Sequence, residues 1–101
     1  MINEPKYPVE TVIKAVEILN YLAQLPGNRG VGISELSHEF KIGKSTIHRV
    51  VDTLRYYGYV DQNIYTNKYC LGWKLYSIGQ CAFMQNQLSD SAQNQLLEDL
   101  H

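Results

Sequence analysis

The pattern of apolar and polar residues predicts a long first helix over residues 9–25. Its apolar side chains recur at helical spacing in two adjacent stripes. The first stripe is Val12, Ile13, Val16 and Leu19, and the second is Ala15, Ile18, Leu22 and Leu25. A helix with so wide an apolar face buries two sides. We expect the first stripe to face the core and the second to form a dimer interface, or else to pack on the chain's own linker helix.

Two further helices are predicted after a break at residues 26–30, a segment rich in Pro, Gly and Asn. Ser34 is the expected N-cap of a short helix that ends near Lys41, and a very short strand at 32–33 could precede it. Ile42 and Gly43 form the next break. An amphipathic helix then runs from Lys44 to about Tyr57 and is closed by Gly58 in a left-handed conformation. Its inward positions are Ile47, Val50, Val51 and Leu54, which we expect to pack with Leu36, Phe40 and the first helix.

A β-hairpin is predicted next, because residues 59–62 and 68–71 are rich in aromatic and β-branched side chains. Residues 63–67 form its turn. A helix over 73–88 follows, with a last helix capped by Ser89 or Asp90. This order predicts a mainly α fold with a small β-hairpin, namely a winged helix-turn-helix followed by a linker helix.

Charge is unevenly distributed along the chain. The net charge is −1, but residues 26–75 carry seven Lys or Arg against four Asp or Glu, a net of +3. No apolar run approaches the roughly 20 residues that span a bilayer, and the N-terminus lacks a signal-peptide pattern. We therefore expect a cytoplasmic protein, with Cys70 and Cys81 as free thiols that are often buried.

Chemistry other than binding finds little support in the sequence. The cysteines and the three histidines lack metal-ligand spacing. No nucleophile has a nearby base, and no glycine-rich phosphate loop is present. We expect neither a metal nor a cofactor, and we do not expect an enzyme.

The start of the amphipathic helix is instead typical of a phosphate-binding site, since helix N-termini offer unpaired N–H groups and a positive dipole end. Candidate DNA-binding residues are Ser34, Lys44, Ser45, Thr46, His48, Arg49 and Lys68, with His48 and Arg49 placed to reach base edges in the major groove. Asp52 is expected to orient Arg49. Simpler interpretations stay open for most of these side chains: Ser45 and Thr46 can cap the helix, His48 can pack, and Arg49 can form a weak surface pair with Asp52 or Asp61. Tyr56 and Tyr57 are expected to pack with one exposed hydroxyl.

The chain resembles the N-terminal domain of IclR-type transcriptional regulators over roughly residues 8–90. The resemblance rests on the order and spacing of several short motifs within ISELSHEFKIGKSTIHRVVDTLRYYGYVDQ and NKYCLGWKLYSIG. They are Ser34-x-Leu36, Lys44-Ser45-Thr46-x-His48-Arg49, Leu54-x3-Gly58-Tyr59-Val60 and Tyr69-x-Leu71-Gly72, preceded by Ala15-Val16-x-Ile18-Leu19-x3-Ala23. The sequence departs from the family at two points. Gly43 stands where this family commonly has proline, and the hairpin tip has no arginine for insertion into the minor groove.

The resemblance implies a domain organisation and a function. Residues 1–72 would be a winged helix-turn-helix DNA-binding domain, 73–89 a linker helix, and 90–101 the truncated start of a C-terminal effector-binding domain. Such regulators bind double-stranded DNA as homodimers or tetramers and respond to small metabolites. The main hypothesis is therefore a sequence-specific DNA-binding domain of a ligand-responsive bacterial regulator. The alternative is a winged-helix protein–protein interaction module, which the net negative charge would suit.

Overall fold

The computed structural model describes residues 2–27 and 29–87 and contains four helices and one hairpin within them. The elements are α1 (Glu10–Gln24), α2 (Ile33–Phe40), α3 (Lys44–Tyr56), β1 (Val60–Gln62), β2 (Tyr69–Leu71) and α4 (Trp73–Gln87). This order confirms the predicted winged helix-turn-helix with a linker helix. The predicted last helix from Ser89 or Asp90 lies outside the described residues.

The core is entered mainly by the second stripe of α1 rather than the first, although Leu19 of the first stripe also packs against it. Ile18 is 0% exposed and Leu22 5%, whereas Val12 and Val16 of the first stripe are 58% and 50% exposed. Ile18 and Leu22 therefore belong to the core and cannot form a dimer interface. The second stripe is the buried one because α1 packs against both α3 and β2. Of its other members, Leu25 packs against this core and Ala15 is half-buried.

Eight buried apolar side chains form one continuous core to which α1, α2, α3, both strands and the segment before α2 contribute. They are Ile18, Leu22, Val31, Leu36, Ile47, Val51, Val60 and Tyr69. Leu36, Ile47 and Val51 confirm the predicted inward faces of the second and third helices, and Phe40, Val50 and Leu54 pack against the core while only partly buried. A core this small leaves little surplus stability, since a domain of this size buries only about 60% of its chain surface.

The helix α2 begins two residues earlier than predicted, and Ser34 does not cap it. Gly32 occupies the N-cap position with no side-chain cap, so Ser34 is the second helical residue and is exposed. The turn between α2 and α3 is held in place at the C-terminal end of α2. Lys41 adopts a left-handed conformation (φ 54°). The Ser37 hydroxyl donates to the Ile42 carbonyl at 2.5 Å, which holds the turn closed.

A third segment pairs with the hairpin, and it lies slightly earlier in the chain than the short strand predicted at 32–33. β1 and β2 are antiparallel, with Val60 opposite Leu71 and Gln62 opposite Tyr69. Val31, rather than 32–33, pairs with the other edge of β2: its N–H donates to the Tyr69 carbonyl at 2.9 Å, and Tyr69 N–H donates back at 2.7 Å. The wing is thereby attached to the segment just before α2.

The turn of the hairpin is ordered by the side chain of Asn63. Its carboxamide oxygen accepts from the N–H groups of Tyr65 (2.8 Å) and Thr66 (3.0 Å), an Asx turn. Asn67 closes the turn in a left-handed conformation (φ 60°) that asparagine tolerates. Ile64 and Tyr65 project into solvent at 80% and 89% exposure.

The linker helix α4 has no buried residue. Leu75 is half-buried and Ile78 is 41% exposed. Trp73 and Tyr76 stack on each other with ring centroids 4.8 Å apart, both largely exposed. None of the helices in the described ranges is long and apolar enough to cross a membrane.

Candidate nucleic-acid interface

The N-terminus of α3 presents unsatisfied backbone donors at the surface. Gly43 is its N-cap and provides no side-chain cap. The N–H of Ile47 donates back to the Gly43 carbonyl at 3.1 Å, so the N–H groups before it have no acceptor within the helix. Lys44, Ser45 and Thr46 are all exposed around them. Backbone donors, a cation and two hydroxyls can together hold an anion such as phosphate.

The outer face of α3 carries a polar cluster formed by His48, Asp52 and Arg55. Asp52 Oδ2 lies 3.3 Å from His48 Nδ1, and Asp52 Oδ1 lies 3.9 Å from Arg55 Nε. Asp52 was expected to orient Arg49, and it does not. Arg49 instead is among the residues that line a surface groove.

This groove lies between α1 and α3 and has a volume of about 400 Å³. Its lining is mostly apolar, with Arg49 and three threonines among the polar contributors. The lining residues are Thr11, Val12, Ala15, Val16, Leu19, Thr46, Arg49, Val50, Thr53 and Leu54. Sequence reasoning missed it, because the groove appears only once the first stripe of α1 is known to face outward.

Two tyrosines at the end of α3 are exposed rather than packed. Tyr56 is 82% and Tyr57 62% exposed, and their rings meet edge to face at a centroid distance of 4.9 Å. The expectation that they are packing residues was wrong. The helix α3 ends at Tyr56, and the chain then turns at Gly58 (φ 87°). Tyr56 and Tyr57 therefore lie past the part of α3 that is buried at Val51.

A second polar cluster joins α1, the following loop and α2. Glu35 Oε2 accepts from Arg29 Nη2 at 2.8 Å and from the Tyr21 hydroxyl at 3.0 Å. The Arg29 guanidinium holds the pKa of the Glu35 carboxyl below its ordinary value, with a smaller contribution from the charge of Lys68. Lys68 lies at the base of the wing beside the segment before α2, since a Cβ on Gly30 would meet Lys68 Cβ at 3.0 Å. Arg29 was not singled out from the sequence, although it is the only cation in the 26–30 loop.

The cysteines are free, as predicted, but Cys70 and Cys81 are both exposed rather than buried. Cys70 lies on β2 between the buried Tyr69 and the exposed Leu71. Among the described residues, no three His, Cys, Asp or Glu side chains lie close enough to hold a metal ion.

Comparison with known proteins identifies the region that carries this surface. The IclR helix-turn-helix domain matches residues 11–63, which include α2, α3, β1 and all of α1 except Glu10. The HTH-type transcriptional regulator KdgR of Escherichia coli K12 is 37% identical over 90 residues, covering 89% of this chain and 33% of KdgR. The regulator XynR of the same organism is 30% identical over 90 residues, covering 89% of this chain and 35% of XynR. This chain thus spans about a third of the length of these relatives.

Solved structures agree with the sequence relatives. The IclR transcriptional regulator from Alicyclobacillus acidocaldarius superimposes with a TM-score of 0.75 at 27% identity, over 91% of this chain and 35% of that one. The Thermotoga maritima IclR gives a TM-score of 0.69 at 27% identity, over 88% of this chain and 35% of that one. In both cases the likeness extends over most of the elements described above.

Proposed function

The chain belongs to the IclR family of transcriptional regulators and carries its helix-turn-helix DNA-binding domain, and we propose that it reads a specific double-stranded DNA site with α3 in the major groove. The observation that carries the proposal is the exposed, uncapped N-terminus of α3 with Lys44, Ser45 and Thr46 around it. Selection of bound duplexes from a random DNA pool tests it. Enrichment of a common sequence supports the proposal, and retention of no duplex contradicts it and leaves the protein-interaction module.

Phosphate and base contacts divide along α3. The first turn, with Lys44, Ser45 and Thr46, would bind the phosphate backbone through side chains and free N–H groups. One turn later, His48 and Arg49 are exposed and would reach base edges. Ser34 and Lys68 would add phosphate contacts from α2 and the base of the wing.

Arg49→Ala is expected to weaken binding to the selected sequence by about 1–3 kcal/mol and to relax the preference at one base position, because a base-edge contact is lost. Titrations of the selected duplex and its single-base variants measure this. Lys14→Ala is the control, since Lys14 lies on α1 and pairs with Glu17 at 3.5 Å. An equal loss of affinity on every duplex would make Arg49 a phosphate contact instead.

Lys44→Ala and Lys68→Ala are each expected to make the dependence of log K on log salt less steep by about 0.9, the value for one phosphate contact. Base preference should not change, since phosphate contacts carry no direct sequence information. Binding measured at several salt concentrations checks both variants against the native chain. An unaltered slope would remove the substituted lysine from the DNA-binding surface.

We propose that the protein acts as a homodimer through a surface different from the one expected from the sequence. The exposed stripe of α1, with Val12 and Val16, and the exposed aromatic residues of α4, with Trp73, Tyr76 and Phe83, are both apolar. Because a helix of 15 residues is marginal on its own and α4 buries no residue here, a second subunit is a natural source of the missing contacts.

The organisation of the whole protein is proposed from the family. Residues 1–72 form the DNA-binding domain and 73–89 the linker helix, and residues 90–101 would begin an effector-binding domain that responds to a small molecule. As a regulator of transcription it would act in the cytoplasm. Operator binding by the whole protein, measured with and without candidate organic acids, tests the response.

A further inference from the structure

We infer that Asp52 is a specificity-determining residue that acts through His48, holding the imidazole so that it selects an amino-bearing base edge. The inference rests on the proposed position of α3 in the major groove. It assigns a role to a carboxylate that should otherwise only weaken DNA binding, since it lies on the outer face of the helix and would repel phosphates.

The geometry joins Asp52 to one particular nitrogen of the imidazole. Asp52 Oδ2 lies 3.3 Å from His48 Nδ1, one helical turn away. This is the ring nitrogen nearer the backbone, so the other nitrogen, Nε2, is at the outer end of a side chain that is 56% exposed. His48 therefore keeps one nitrogen for Asp52 and one for a ligand.

The carboxylate determines which nitrogen carries the proton in the neutral ring. A neutral imidazole has one N–H donor and one acceptor nitrogen. A negative charge beside Nδ1 favours the tautomer with the proton on Nδ1, as partners of this kind do elsewhere. Nε2 is then left as a hydrogen-bond acceptor.

An acceptor in the major groove discriminates between bases. It can accept from the amino group of adenine or cytosine, whereas the nearby edges of guanine and thymine present acceptors that would repel it. His48 without Asp52 could adopt either tautomer and would tolerate more bases. Asp52 thus increases discrimination at one base position.

The charge of Asp52 is partly offset on the helix itself. Asp52 Oδ1 lies 3.9 Å from Arg55 Nε, and both side chains are about half exposed. The pair reduces the repulsion between Asp52 and phosphates without removing it. Asp52 should therefore lower affinity for DNA in general while it raises the preference for the correct sequence.

The test uses the 101-residue chain at about pH 8, above the reference histidine pKa of about 6.5. It measures binding to the duplex selected from a random pool and to duplexes with each of the three other bases at each position. Asp52→Ala is expected to reduce the preference at one position about fivefold, which corresponds to one hydrogen bond. Its affinity for random duplex should rise. His48→Ala should lose the preference at the same position, and adding Asp52→Ala to it should relax that position no further.

Glu39→Ala is the matched control, because it removes an exposed acid from a helix that is not α3; base preference should not change. Thermal melting of each variant establishes that all of them are folded. The inference is overturned if Asp52→Ala leaves the preference intact, or relaxes it equally with and without His48. If the native chain selects no sequence, the proposed function fails together with the inference. If the native chain selects a sequence and Asp52→Ala does not change its preference, only the inference fails.

Discussion

Ile18→Glu is expected to unfold the domain, whereas Val16→Glu, two residues earlier in the same helix, should leave it folded. Ile18 is fully buried in the core, and Val16 is 50% exposed. Loss of a buried isoleucine costs about 2–5 kcal/mol, and a carboxylate in its place adds a desolvation penalty. Since domains are stable by only about 5–15 kcal/mol, and small ones are at the low end, the folded state should not survive.

Circular dichroism melts and sedimentation distinguish the two variants. Val16→Glu should melt close to the native chain and self-associate less, because Val16 lies on the apolar stripe that we propose as the dimer surface. A folded Ile18→Glu that sediments as a monomer would show that the core described here is wrong and that the second stripe faces a partner.

Gly72→Ala is expected to be the most damaging small substitution in the chain. A Cβ on Gly72 would lie 2.2 Å from the Gly58 carbonyl oxygen, 2.7 Å from the Tyr59 carbonyl carbon and 2.8 Å from Val60 N. All three are backbone atoms, so no side chain can move aside. The junction of wing and α4 must shift, which we expect to cost about 3 kcal/mol or more, as severe overpacking does.

Gly79→Ala is the matched control for that substitution. A Cβ there meets no atom within 4 Å, and Gly79 lies inside α4, where alanine is favoured over glycine by about 1 kcal/mol. Urea unfolding of the two variants should therefore give midpoints that move in opposite directions. Similar midpoints would contradict the close approach of Gly72 to the Gly58 carbonyl.

Much of the fold was predictable because its signals are local. The break at residues 26–30, the inward spacing of Ile47 and Val51, and the left-handed Gly58 each depend on neighbouring residues. The Asn63 turn is of the same kind, since its hydrogen bonds join residues two and three positions apart. The family resemblance was likewise visible in motif spacing and is confirmed by the match over residues 11–63.

What the sequence could not determine depends on contacts between distant residues. Both stripes of α1 are apolar, and only the positions of α3 and β2 decide that Ile18 is buried and Val16 exposed. Asp52 has His48 and Arg49 four and three positions before it and Arg55 three positions after it. Spacing alone therefore could not show that it pairs with His48 and Arg55 rather than Arg49. The DNA-binding residues themselves stay predictions.

The pairing of Val31 with Tyr69 also has a consequence for the order of folding. These residues are 38 positions apart. If they paired before other contacts had formed, closing this long loop would cost conformational entropy that nothing else yet offsets. The contacts of α2 with α3 are between near neighbours in sequence and carry no such cost. The helix-turn-helix should therefore assemble first and the wing close onto it last. This makes α3 part of the early-folding unit and the hairpin the part that opens most readily.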